Sequence, residues 1–221
     1  MEKKFLIQDV LSASWELLKN NFWFIVGLQA IIFAIGIFPE VMNWLFTNNS
    51  AMETVLLAVG IIFFILQLIA NIGMVRIFLD LHDKKENIQV TDLLSGVNYF
   101  FEYVLAAIVY NVIVFIGFLL FIIPGIIWSI KYQFFTYLIV DKRMSPMQAL
   151  KESARITQGQ KMDLFLFSCV AIVLNLAGAL ALGVGLLITM PLTSLALAHI
   201  FRKLSAEPNI EVQNIPTIAQ D

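Results

Sequence analysis

Four long runs without charged residues set the strongest limit on how this chain can fold. They lie at 22–38, 54–75, 103–130 and 164–201. A spanning helix needs about 20 apolar residues, so each run is long enough to cross a bilayer. The last run has 38 residues. As one helix it would measure about 57 Å, against a hydrocarbon core of about 30 Å. The last two runs must therefore each fold back on themselves.

Proline and glycine indicate where the two longest runs turn. Pro124–Gly125 interrupts the third run, and Gly183 and Gly185 interrupt the fourth. Proline removes a backbone donor and glycine admits turn geometries, so these are the natural breakers. The first run is expected to end at Pro39. This predicts an all-α membrane protein with six transmembrane helices arranged as three hairpins.

Composition agrees with lipid as the main solvent. The chain is 60% hydrophobic and only 14% charged, whereas a soluble domain carries about 25% charged residues. A net charge of −2 gives no sign of nucleic-acid binding, and we expect no nucleic-acid partner. The one cysteine, Cys169, excludes an internal disulfide and any multi-thiolate metal site. We expect no cofactor and no metal.

The lysines and arginines predict the orientation in the membrane. With both termini in the cytoplasm, 13 of the 14 fall at cytoplasmic helix ends, and only Lys131 does not. The outside turns then hold no basic residue. By the positive-inside rule this predicts a multi-pass protein of the bacterial cytoplasmic (inner) membrane, with the N-terminus and the C-terminus cytoplasmic.

A short amphipathic segment precedes each predicted hairpin. In the segment 7–21, Ile7, Val10, Leu11, Trp15 and Leu18 fall on one face. The segment 145–159 opens with Ser145, Pro146 and Gln148, which is typical of a helix start with a capping box. The middle segment, before the second hairpin, is 90–103. We interpret these as cytoplasmic interfacial helices of three degenerate repeat units, at about 5–80, 90–142 and 145–204. They form one membrane domain over 1–204, followed by a disordered cytoplasmic tail at 205–221.

Three stretches carry a resemblance to a known group. They are IIPGIIWSIKYQFFTYLIVD at 122–141, SPMQALKESARITQGQK at 145–161, and a glycine-rich turn with a final helix ending in RKL at 202–204. With VTDLLSGVNYFF at 90–101, the chain from Ile72 to Leu204 resembles a group of uncharacterised bacterial polytopic membrane proteins. That group includes the membrane domain fused in some proteins to a glycerophosphodiester phosphodiesterase. The resemblance implies a membrane domain without an assigned reaction. It does not carry over the phosphodiesterase activity, because the catalytic domain is absent from this sequence.

Lys131 is the first candidate for a functional side chain. It is a full charge inside an apolar run, and a straight helix counted from Gly125 places it in the outer half of the membrane. A charge at the centre of a span costs roughly 3 kcal/mol on insertion scales. Two interpretations of Lys131 are open. In the structural one, its side chain snorkels to the interface or forms a structural ion pair. In the functional one, it binds an anionic headgroup or solute. Glu40 is the expected carboxylate partner, and Glu53 is the second candidate. Intramembrane amides complete the ligand-binding hypothesis: Gln133, Asn111 and Asn175. They serve equally well as bonds between helices.

A second candidate is the basic stretch near the inner surface. Its cationic residues are expected to lie against anionic lipid; they are Lys142, Arg143, Lys151, Arg155 and Lys161. The chain has no HExxH, GxSxG or P-loop motif, so we expect no enzyme. The sequence predicts a non-catalytic scaffold, assembly factor or lipid-organising protein. Its expected partners are membrane lipids, including anionic ones, and another membrane protein or a second copy. The alternative is a small transporter or lipid-handling protein with Lys131 at its site.

Overall fold

The computed structural model describes residues 5–46, 50–181 and 183–206. Within them the chain is helical and contains no strand. The α-helices, in order, are α1 Ile7–Asn20, α2 Phe22–Phe46, α3 Ser50–His82, α4 Phe100–Leu120, α5 Ile122–Tyr132, α6 Phe135–Lys142, α7 Pro146–Ile156, α8 Lys161–Leu180 and α9 Leu186–Ser205, and a 3-10 helix covers Val90–Tyr99. The all-α prediction is confirmed. The predicted tail lies outside the described residues beyond Ala206.

Five helical segments among the described residues are long and apolar enough to cross a membrane. They are Phe22–Phe46, Met52–His82, Val90–Leu120, Ile122–Lys142 and Lys161–Leu180. Large apolar side chains on them are exposed, including Trp23 at 84% and Leu119 at 75%. Exposed apolar surface on this scale is expected of a multi-pass membrane protein, whose outer face meets lipid.

Helix α9 differs from these five segments. It has 20 residues, eight of which are buried, and it packs against α1, α2, α3 and α8. Thr189, Thr193, His199 and Arg202 lower its apolar character. A helix enclosed by other helices faces protein rather than lipid, so it can carry polar side chains that a lipid-facing helix cannot.

The turn between α4 and α5 corrects the sequence prediction. The chain turns at Phe121, whose backbone is extended (φ −163°, ψ 156°), and not at Pro124–Gly125. Pro124 instead lies in the first turn of α5, where the missing N–H costs nothing because it would have no partner in the helix. Gly125 allows α4 to approach closely, since a Cβ placed on Gly117 would lie 2.9 Å from Gly125 Cα.

The predictions made at Pro39 and at Gly183 have different outcomes. Helix α2 does not end at Pro39 but continues through it to Phe46. Membrane helices tolerate an internal proline when other groups satisfy the freed carbonyl. The turn before α9 does use Gly183, whose φ of +76° is in the left-handed region that favours glycine.

The 3-10 helix packs directly on the backbone of α3. A Cβ at Gly73 of α3 would lie 2.0 Å from the carbonyl oxygen of Leu93, and a Cβ at Gly96 would lie 2.0 Å from that of Ile69. Two glycines, one on each side, therefore let the two backbones touch. This contact holds the chain between α3 and α4 against the α3 surface.

The amphipathic segments 7–20 and 146–156 fold as helices with one buried face. In α1, Val10, Ser14 and Leu18 are buried and the helix packs on α9. The sequence had placed Trp15 on that face, but it is 42% exposed, and Ser14 takes its place. In α7, Ser145 and Gln148 form the predicted capping box.

Helix α7 packs beside the point where the helix is interrupted between α5 and α6, and hydrogen-bonds to the backbone there. Phe134 N–H donates to Ser153 Oγ (3.1 Å), and Ser153 Oγ donates to the Lys131 carbonyl (3.1 Å). The Thr157 hydroxyl also lies 3.1 Å from the Lys131 carbonyl, although its nearest acceptor is the Ser153 carbonyl, at 2.8 Å. Ser153 and Thr157 are fully buried. Side-chain hydroxyls of α7 thus satisfy backbone groups that the interrupted helix leaves without partners.

Candidate functional site

A polar cavity of about 420 Å³ lies between α2, α3, α4, α6, α8 and α9. None of its lining side chains is charged. Amides and hydroxyls supply the polar part of the wall: Gln29, Asn71, Tyr103, Thr136, Tyr137, Asn175, Thr193 and Ser194. Apolar side chains supply the rest: Ile72, Met74, Val75, Phe78 and Met190. A concave site in which convergent polar groups lie beside apolar side chains is a candidate ligand pocket.

The amide of Asn175 is oriented by its neighbour in the cavity. Asn175 Nδ2 donates to Thr193 Oγ1 at 3.3 Å. The Thr193 hydroxyl has carbonyls of its own helix within donating distance, those of Thr189 and Met190, each at 3.0 Å. With its proton directed to those carbonyls, Thr193 can offer Asn175 only an acceptor. The amide nitrogen must then face Thr193, and the amide oxygen must face away.

The oxygen of Asn175 has no hydrogen-bond partner in the described structure, although it is buried. A buried polar atom left without a partner costs about 1–3 kcal/mol, so such atoms are usually satisfied by water or by a ligand. Asn175 Oδ1 is therefore an unsatisfied acceptor next to the cavity, with almost no accessible surface of its own.

Two further amides approach the cavity from other helices. Gln29 of α2 is buried, with 9% of its surface exposed. Asn71 of α3 is exposed and donates through Nδ2 to the Gln67 carbonyl at 2.7 Å. The exposure of Asn71 shows that the cavity reaches the outer surface of the helices. Amides from α2, α3 and α8 thus line one site.

Charged groups gather at one end of α3, α6 and α9, apart from the cavity. Arg202 donates to Asp141 Oδ2 at 2.7 Å and to Asp83 at 2.6 and 3.0 Å. This arginine joins the ends of the three helices. Next to it, Nε2 of His82 and Nδ1 of His199 are 3.0 Å apart, so one of these two nitrogens must be an unprotonated acceptor.

Asp80 belongs to the same end of α3. Its carboxylate accepts from Arg76 Nε at 3.0 Å and from Lys85 Nζ at 2.6 Å. Arg76 is the cationic residue of α3 that follows the cavity wall, and it shares this one carboxylate with Lys85, so the three side chains together carry a net positive charge. Arg76 itself does not line the cavity.

Lys131 lies outside the cavity, in the last turn of α5. Its Nζ is 5.0 Å from the centroid of the Tyr132 ring, a cation–π geometry. Among the described residues no carboxylate lies within ion-pair distance of it, and Glu40 is an exposed residue of α2. The bonds from Ser153 and Thr157 hold the Lys131 backbone beside α7. Lys131 lies near the midpoint of the candidate span Ile122–Lys142.

The three predicted site amides lie in different places. Asn175 lines the polar cavity. Gln133 lines a second pocket of about 320 Å³ with Ser129, Ser168 and Cys169, and its Nε2 is buried without a partner. Asn111 is exposed and donates to the Ala107 carbonyl of its own helix at 2.7 Å. The predicted set therefore does not form one site.

The predicted lipid-surface residues are all exposed; they are Lys142, Arg143, Lys151, Arg155 and Lys161. Arg155 is paired with Glu152. The pKa of the Glu152 carboxyl is lowered, chiefly by this hydrogen bond and further by the charges of Arg155 and Lys142. Among the described residues, no group of three His, Cys, Asp or Glu side chains could hold a metal ion.

The sequence reasoning missed the hydroxyl side of the cavity. Thr136 and Thr193 were not singled out, although Gln29 and Asn71 were visible as amides within apolar runs. The available signal was the unusual number of hydroxyl residues in the final apolar helix. Helical spacing places Thr189 and Thr193 on one face, but it does not show which neighbouring helix that face meets.

Comparison with known proteins gives one weak relative. A protein from Mycobacterium tuberculosis (strain ATCC 25618 / H37Rv), "Uncharacterized protein Rv2560", is 35% identical over 100 residues, which are 45% of this chain. The matched segment spans only 30% of the length of that protein. No family model matches the chain, and no solved structure matches it.

Proposed function

We propose that the protein is a non-catalytic membrane protein that binds and organises lipid through the polar cavity between α2, α3, α4, α6, α8 and α9. The observation that carries the proposal is an uncharged, partly apolar cavity that opens beside Asn71, on helices whose outer faces are apolar. Such a site is accessible to a molecule dissolved in the bilayer. It offers hydrogen bonds there without placing a charge in lipid.

The proposal includes six spans arranged as three hairpins. Helix α2 packs against α3, α4 against α5, and α8 against α9, which supports this pairing. In it α9 is the sixth span, shielded from lipid by its neighbours. The fully buried Ser14 of α1 and Ser153 of α7 occupy equivalent places in the proposed repeat and support it. Both termini, and the exposed cations of α7, then face the bacterial cytoplasm and anionic inner-leaflet lipid.

A second candidate function places the ligand at Lys131. The supporting observation is that this lysine, within a candidate span, has no carboxylate partner among the described residues. It would then bind an anionic headgroup or solute, as a small transporter or lipid-handling protein requires. Intramembrane charges without structural partners are commonly functional.

Native mass spectrometry of the protein released from mild detergent tests both proposals. The wild type is compared with Asn175→Leu, which removes the cavity amide, and with Lys131→Met, which removes the charge. We expect a discrete co-purifying lipid mass that Asn175→Leu loses and Lys131→Met keeps. Loss in Lys131→Met alone would favour the second candidate. A wild type without any bound mass would refute lipid binding and favour a scaffold for another membrane protein or a second copy.

A further inference from the structure

The amide of Gln29 is a polar group that the cavity itself must satisfy. Only 9% of this residue is exposed, and its side chain makes no hydrogen bond within the part of the chain that the structure describes. Ile25 and Ile32, one turn away on either side, are buried, so this face of α2 meets protein and not lipid. Unlike Asn175 Oδ1, neither amide atom of Gln29 is closed off from accessible surface. What remains accessible of Gln29 therefore opens into the cavity that it lines.

Three hydroxyl groups on other helices are in the same situation. They belong to Tyr103 of α4, Thr136 of α6 and Ser194 of α9, all of which line the cavity. None of the three hydroxyls bonds to a described residue, and none is among the enclosed polar atoms. Thr193, by contrast, has carbonyls of its own helix within reach. Partly buried polar groups without a protein partner are usually satisfied by water or by a ligand.

These four groups define the polar chemistry that the ligand must have. An amide both donates and accepts, and a hydroxyl donates one hydrogen bond and can accept two. A ligand that pairs with groups from four helices needs several groups of the same mixed kind, which hydroxyls supply and esters or ethers do not. No lining side chain is charged. An ionised group would therefore leave water without meeting a counter-charge in the wall, so the ligand is neutral.

The remaining wall suits the carbon skeleton of such a ligand. Val75, Met190 and the ring of Tyr103 are only partly buried and present apolar surface to the same space. A sugar ring has apolar C–H faces and a rim of hydroxyls, and it matches a wall in which apolar surface lies beside hydrogen-bonding groups. The volume of about 420 Å³ lies within the range of about 300–1,000 Å³ found for small-molecule sites.

We infer that the cavity binds a neutral sugar, carried as the headgroup of a glycosylated diacylglycerol. Gln29 and the hydroxyls of Tyr103, Thr136 and Ser194 bond to the sugar hydroxyls. The headgroup enters beside the exposed Asn71, and the acyl chains stay along the apolar outer faces of the helices. This inference rests on the proposed lipid binding and names the class of lipid. A free sugar would offer the same hydroxyls, so the experiment separates the two sources.

Native mass spectrometry with four separate ligands tests this inference. The full chain is released in tetraethylene glycol monooctyl ether, a detergent that carries no sugar to compete for the cavity. The ligands are glucosyl dioleoylglycerol, dioleoylglycerol, dioleoyl phosphatidylglycerol and methyl glucoside. We expect glucosyl dioleoylglycerol to bind about tenfold more tightly than dioleoylglycerol, because its sugar adds buried hydrogen bonds. Dioleoyl phosphatidylglycerol and methyl glucoside should both bind more weakly than glucosyl dioleoylglycerol, the first because it is charged and the second because it has no acyl chains.

Substitutions locate the binding in the cavity. Gln29→Leu removes the buried amide and should abolish the preference for the glucosyl lipid. Asn111→Leu is the matched control and should keep it, because Asn111 is also an amide within a span but is exposed and bonds to its own helix. If Gln29→Leu does not fold, Tyr103→Phe serves instead, since it removes one cavity hydroxyl and keeps the ring. It should reduce the preference.

The outcomes separate this inference from the proposed function. Equal binding of glucosyl dioleoylglycerol and dioleoylglycerol, or a preference that both cavity variants keep, would overturn sugar recognition and leave lipid binding standing. A Gln29-dependent preference for dioleoyl phosphatidylglycerol would overturn neutrality alone. Binding of methyl glucoside as tight as that of the glucosyl lipid would make a free sugar the ligand and overturn lipid binding. Binding of none of the four would overturn both proposals.

Discussion

Replacing Gly73 with alanine tests the packing of the 3-10 helix on α3. The added Cβ would lie 2.0 Å from the backbone oxygen of Leu93. A carbon–oxygen contact needs about 3.3 Å, so the two backbones must separate by about 1.3 Å. Both sides of the contact are main chain, and no flexible side chain can move away instead. Gly96 faces the same problem on the opposite side, where its Cβ would meet the Ile69 oxygen at 2.0 Å.

The expected cost follows from the rigidity of this contact. Overpacking a well-packed interior costs about 1–3 kcal/mol, and a clash between two backbones belongs at the upper end. For a chain of this size, each kcal/mol lowers Tm by about 2–4 °C. We therefore expect Gly73→Ala to lower Tm by about 6–12 °C. Because both glycines relieve one contact, Gly73→Ala and Gly96→Ala together should cost less than the sum of the two.

Thermal unfolding in detergent, followed by the fluorescence of the four tryptophans, measures this effect. Gly60→Ala is the matched control. It lies in the same helix, and a Cβ there would meet nothing within 4 Å, so Gly60→Ala should not destabilise the protein and should gain about 0.5–1 kcal/mol from helix propensity. Equal Tm values for Gly73→Ala and Gly60→Ala would show that the backbones of α3 and the 3-10 helix do not touch.

Three further substitutions have expected outcomes in the same assay. Ser153→Ala leaves a buried backbone N–H without a partner and should cost about 1–3 kcal/mol, whereas the exposed Ser12→Ala should change stability by less than about 0.5 kcal/mol. Arg202→Gln should cost about 1–3 kcal/mol, since it leaves two half-buried aspartates without their counter-charge, and equal stability would show that these pairs are solvated. The lowered pKa of Glu152 implies a contribution that is present above its ordinary value of 4.5 and lost as pH falls through the lowered one. Glu152→Gln should therefore cost under about 1 kcal/mol at neutral pH, and this cost should shrink as the pH falls below 4.5 and through the lowered pKa; a cost that stays the same as the pH falls would contradict the pairing.

The features that the sequence predicted well are local ones. The apolar runs predicted the lipid-facing helices, and Ser145 with Gln148 predicted the start of α7. Each depends on residues within a few positions of one another. Gly183 also marks its turn correctly, because its positive φ is a property of a single residue.

The features that the sequence did not predict depend on contacts between distant helices. The residues Pro124–Gly125 predict a turn. In the structure Gly125 instead lies close to Gly117, so its role is to let α4 and α5 pack together. Glu40 is the expected partner of Lys131 because the sequence pattern places both in the outer part of the membrane, but residue spacing cannot show whether α5 and α2 come together. The Asn175–Thr193 bond joins α8 and α9 in the same way.

The polarity of α9 connects the cavity with the charged end of the molecule. Thr193 orients the cavity amide, and about two and a half turns later Arg202 binds the aspartates of α3 and α6. A helix exposed to lipid could not carry both groups, since each would face hydrocarbon without a partner. Enclosure by α1, α2, α3 and α8 makes both tolerable. In an otherwise apolar chain, a helix rich in hydroxyl and charged side chains is therefore one to examine first for a site, because its neighbours in the protein give those side chains their partners.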